Sequence, residues 1–95
     1  MTRRTTVTTP RPPATLENVR LVDLLNTCRE ATGITKLFAM RVLRDYMKNQ
    51  DESIVVDEVG TITDVDDLNL LIGAGAPGRI YYVVLGQRAR LDGLM

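Results

Sequence analysis

The chain has no histidine, no tryptophan and a single cysteine, and it is poor in aromatics: three Tyr and one Phe in 95 residues. Without His, acid–base catalysis by imidazole, Ser-His and Cys-His nucleophiles and His-containing metal sites are excluded. A lone Cys allows neither an intrachain disulfide nor a multi-Cys zinc site, so nothing points to an oxidising compartment. No apolar run is long enough to span a bilayer, and the N-terminal arginines precede no apolar stretch of the signal-peptide kind. The expectation is therefore a cytoplasmic, non-enzymatic protein, with no catalytic residue, no metal site and no cofactor. What remains is ordinary globular material, with 44% hydrophobic and 25% charged residues. The length suits one small domain with an aliphatic core.

The net charge is zero but unevenly spread. Residues 1–14 carry Arg3, Arg4 and Arg11 and no acid, whereas residues 51–67 hold seven acids and no base. The first segment, rich in Thr, Pro and Arg, has no apolar periodicity and is expected to be a disordered basic arm. The domain is expected over residues 15–86, with a tail at 87–95.

Residues 15–32 predict a helix with Leu21, Leu24, Leu25 and Cys28 on one stripe. Gly33 should end it in the left-handed conformation. A second helix is predicted over 34–49, with Ala39, Val42, Leu43 and Tyr46 buried and Lys36, Arg41, Arg44 and Lys48 projecting away. The β-branched residues around Gly60 predict a strand or hairpin over 53–63. Residues 64–72 suit either a short helix, with Asp64, Asp66 and Asp67 at its start, or a strand. RIYYVVL at 79–85 reads as a strand.

Two letter patterns fail on their physics. Gly73, Gly75 and Gly78 spell G-x-G-x-x-G, but a dinucleotide site needs a helix after the loop and an acid about twenty residues on. The predicted strand after Pro77 and the end of the chain rule both out. The acids at 64–67 do not continue as a calcium loop, because its sixth and twelfth positions hold Asn69 and Gly75. A solvated acidic face or a helix start fits them better.

Residues 30–46, EATGITKLFAMRVLRDY, together with GRIYYVVL at 78–85, resemble the helix-turn-helix and returning wing strand of winged-helix (winged helix-turn-helix) regulator domains. The resemblance spans roughly residues 20–60 and 78–86. It implies an α+β fold of two or three helices with a small antiparallel sheet. It also implies a nucleic-acid-binding role in gene regulation, with double-stranded DNA as partner. On this pattern Lys36, Arg41, Arg44 and Lys48 would face the nucleic acid from the recognition helix, and Arg79 would touch phosphate at the wing. The sequence departs from the pattern at Leu37, Phe38 and Met40, where small polar residues are usual, and in its acidic wing. An apolar centre suits protein contact better than base edges. The alternative is therefore a protein-interaction module that binds through Leu37, Phe38 and Met40, with a homodimer also admitted. A further alternative packs Leu37 and Phe38 inside the domain.

Overall fold

A computed structural model describes residues 19–93 as five α-helices, and no strand occurs among them. They are α1 (Leu21–Glu30), α2 (Gly33–Asn49), α3 (Glu52–Gly60), α4 (Val65–Gly73) and α5 (Gly78–Leu91). The expected arm at 1–14 lies outside the described residues.

The α+β winged-helix architecture is thus overturned: the protein is all-helical over the described residues. The expected strand at 53–63 is α3, and Asp51 caps it by accepting hydrogen bonds from the Ser53 N–H (2.9 Å) and Oγ (2.7 Å). Those two bonds, the hydroxyl first, hold the Asp51 carboxyl below its ordinary range. Val55 and Val59, one helical turn apart, fill the core. The clearest expected strand, 79–85, is α5: Ile80, Val84 and Gln87 are buried at the four- and three-residue spacing of a helix. Residues 87–91, expected as tail, complete that helix. The ambiguous 64–72 segment forms α4, where the Asp64 carboxylate accepts from the Asp66 N–H at 2.9 Å. Branched side chains lower helix propensity by only tenths of a kcal/mol each, and burial of a stripe outweighs that.

The core collects Leu21, Leu25 and Cys28 from α1, Leu43, Tyr46 and Met47 from α2, Val55 and Val59 from α3, Leu68 and Leu71 from α4, and Ile80 and Val84 from α5. Cys28 is fully enclosed, and burial pushes its thiol pKa up. Gly33, at φ +59°, supplies the left-handed turn expected there, although it opens α2 after Ala31 has capped α1.

Part-buried polar contacts join the helices at Glu58 and at Gln87. Glu58 on α3 accepts the Leu21 N–H at 3.0 Å, capping the start of α1, and accepts the Tyr46 hydroxyl of α2 at 2.6 Å. Gln87 on α5 donates through Nε2 to the carbonyls of Ile62 (2.7 Å) and Gly60 (3.3 Å), holding the α3–α4 turn.

Burial, and then the bond to Glu58, push the Tyr46 pKa up to about 12. A group whose folded pKa lies above its unfolded value stabilises the fold fully below the unfolded value. For Tyr46 that contribution falls as pH rises from about 10 to the folded pKa of about 12. Denaturant midpoints measured across this interval should drop in the wild type. The drop should be shallower in Tyr46→Phe, and equal slopes in the two proteins would show that Tyr46 does not titrate late.

Candidate interaction surface on the second helix

Helix α2 has seventeen residues and two faces of different use. With about 100° between successive residues, Leu43, Tyr46 and Met47 fall on the inner face and are buried. The opposite arc carries Ile34, Leu37, Phe38 and Val42, exposed at 70, 68, 59 and 51%. Single exposed apolar residues are common on protein surfaces, whereas these four form an apolar strip on one helix face. Val42, expected in the buried stripe, therefore belongs outside. Neighbours in a helix diverge by about 100°, and the core took Leu43.

Toward its C-terminal end the outer arc becomes cationic. Arg41, Arg44 and Lys48 are exposed there, and Asp45 is the acid among them, 3.4 Å from the Arg44 guanidinium. Lys36 does not join this group. It is half-buried and lies about 140° around the helix from Arg41.

The three apolar candidates also separate. Leu37 and Phe38 are exposed, whereas Met40 is half-buried against the core. A methyl placed on Gly73, at the end of α4, would lie 3.4 Å from Met40 Cε. The glycine loop that follows runs beside the same helix, since a methyl on Gly75 (φ +90°) would lie 3.6 Å from Arg44 Cδ. The loop letters that spell a nucleotide motif thus form a tight α4–α5 connection against Met40 and Arg44.

Arg79 sits in the first turn of α5, not on a wing, and pairs with Glu52 at 2.7 Å. Its helix meets the end of α2 around a shallow cleft of about 100 Å³ lined by Lys48, Glu52 and Arg79 among others. The structure therefore groups Arg41, Arg44 and Lys48 on α2 and places Arg79 beside Lys48.

The acids of residues 51–67 occupy other places. Asp51 and Asp64 cap helices, Glu58 caps α1, Glu52 pairs with Arg79, and Asp67 pairs with Arg29. A larger groove of about 380 Å³ has Leu21, Leu25 and Ile62 among its lining, with Asp57 and Asp64 also there, and no residue of α2 contributes to it. Among the described residues no group of three or more His, Cys, Asp or Glu side chains could hold a metal ion. No helix there is long and apolar enough to cross a membrane.

Ile34 and Val42 were missed as surface residues in the sequence. Extending the 3.6-residue period outward from Leu37 and Phe38 would have found them.

A scan of family models, a search of curated proteins and a search of solved structures each returned no match.

Proposed function

We propose that the protein is a small helical interaction module that binds a protein partner through the outer face of α2, without catalysis. The observation that carries this reading is the set Ile34, Leu37, Phe38 and Val42, all more than half exposed on one arc. Burying such side chains against a partner contributes about 25 cal/mol per Å² of apolar surface. An aromatic such as Phe38 is the kind of anchor that dominates interface energetics.

The test is a photo-crosslinking amino acid placed at Leu37 or, as control, at exposed Asn69 on α4. Irradiation in the native cell should give discrete protein adducts from position 37 and none from position 69. The reading fails if position 37 gives none.

A second reading, duplex DNA contact in gene regulation, rests on the exposed cations Arg41, Arg44 and Lys48 standing together. On that reading binding weakens steeply with salt. Arg41→Ala with Arg44→Ala should then abolish duplex binding while changing stability by less than about 0.5 kcal/mol. Wild-type protein that binds no duplex at low salt removes this second reading.

A further inference from the structure

We infer that the partner element is an acidic amphipathic helix, laid antiparallel along α2 with its acids in its N-terminal half. The inference rests on the docking reading above and names the chemistry of the occupant.

Three observations select it. Every described element is helical, so no sheet edge is offered to an extended peptide. Recognition must then run through side-chain rows. Ile34, Phe38 and Val42 form an i, i+4 row, the ridge that interdigitates in the commonest helix–helix packing. Second, the arc changes along its length: apolar from Ile34 to Phe38, then Arg41, Arg44 and Lys48 around Val42 and Asp45, a net of two positive charges. A complementary surface is apolar along its seam and acidic at one end. Third, a helix tolerates acids best in its own first turns, where they meet the positive end of its dipole. Placing that end over Arg41, Arg44 and Lys48 makes the two helices antiparallel. The arc from Ile34 to Lys48 is about 21 Å long, close to four turns.

The chain's own segments fit less well. Residues 1–14 carry Arg3, Arg4 and Arg11 without an acid, so they share the sign of the cationic end. A second copy would have to present the acids of 51–67. Asp51, Glu52, Glu58, Asp64 and Asp67 are already engaged as caps or in pairs, which leaves two exposed acids of that stretch, Asp57 on α3 and Asp66 on α4.

The probes are two labelled helical peptides of about four turns with the same leucine seam. One carries Glu in its N-terminal half and the other Lys at the same positions. They are titrated into the full chain, by anisotropy, at about 0.01 M and about 0.15 M salt, where the Debye lengths are about 30 and 8 Å. The Glu peptide should bind about tenfold tighter at low salt, the sum of a few exposed ion pairs, with the margin shrinking at the higher salt. Arg41→Glu with Arg44→Glu should reverse the preference. Arg41→Glu alone, at an exposed position, should narrow it and serves if the double variant folds poorly. Leu37→Asp with Phe38→Asp should remove binding of both peptides.

Equal binding of the two peptides, or a Glu preference that survives charge reversal, overturns the inference. So does a crosslink from position 37 to a second copy of the chain. Failure of both peptides beside a positive crosslink to another protein overturns the partner chemistry and leaves the docking face standing. Failure of the crosslink itself removes the docking reading.

Discussion

Leu43→Ala is expected to cost about 2–5 kcal/mol, the range for truncating a fully buried leucine. Leu43 is completely enclosed at the centre of the inner face of α2, within a core drawn from all five helices. Cutting it back leaves a cavity that the surrounding helices can only partly refill. A domain of this size is stable by only about 4–11 kcal/mol, so the variant should be near the edge of folding at 37 °C. The adjacent substitution Val42→Ala is the internal control. Val42 points outward and is 51% exposed, so truncating it should change stability by no more than about 0.5 kcal/mol. Urea denaturation of the pair measures the contrast directly. Similar losses at both positions would mean that the two faces of α2 are not assigned correctly.

The second large effect is expected at Glu58. Its carboxylate accepts the Leu21 N–H and the Tyr46 hydroxyl, so it joins α1, α2 and α3 at one point. Glu58→Ala strands the helix-terminal Leu21 N–H and removes the shorter bond of the buried Tyr46 hydroxyl, which also reaches the Val19 carbonyl at 3.3 Å. The expected loss is about 2 kcal/mol, because hydrogen bonds to a charged acceptor are the stronger kind and unpaired buried donors are costly. Glu58→Gln keeps acceptor oxygen on one side and should lose less. Combined with Tyr46→Phe, the two changes should be less than additive, since they remove the same bond. Denaturation of the two single variants and the double variant gives the coupling. Full additivity would show that the bond is not formed.

How far the chain could be read in advance depended on which residues compete for its patterns. The first two helices were legible because Leu21, Leu25 and Cys28, then Leu43 and Tyr46, repeat at helical spacing around Gly33. Residues 64–72 were open between helix and strand; Asp64, Asp66 and Asp67 suited a helix start, and Asp64 does cap α4. The last helix was not. Its residues 80–85 are almost all branched or aromatic, and a continuous apolar run has no period to separate strand from helix. Tertiary burial of Ile80, Val84 and Gln87 decided the matter. The same holds for α3, whose cap at Asp51 was present in the sequence but overshadowed by the valines after it.

The candidate site followed the same logic. Leu37 and Phe38 stood out as apolar residues on a helix face where polar ones were expected, and they are exposed. Lys36 and Met40, one and two residues away from them, turned toward the interior because of angle alone. Arg79 was placed on a wing only through the resemblance. With 79–85 helical, it becomes a first-turn cation paired with Glu52.

If the outer face of α2 is free for a partner, as proposed, Leu37 and Phe38 are not part of the core. The most direct measurement is the thermal melt of the double variant Leu37→Asp with Phe38→Asp, followed by circular dichroism. Two exposed residues replaced by aspartate should leave a cooperative helical melt within a few degrees of wild type, at about 0.5 kcal/mol or less per site. A variant that is unfolded at room temperature would mean that charge had been forced into a packed interior, and Leu37 and Phe38 would then belong to the core.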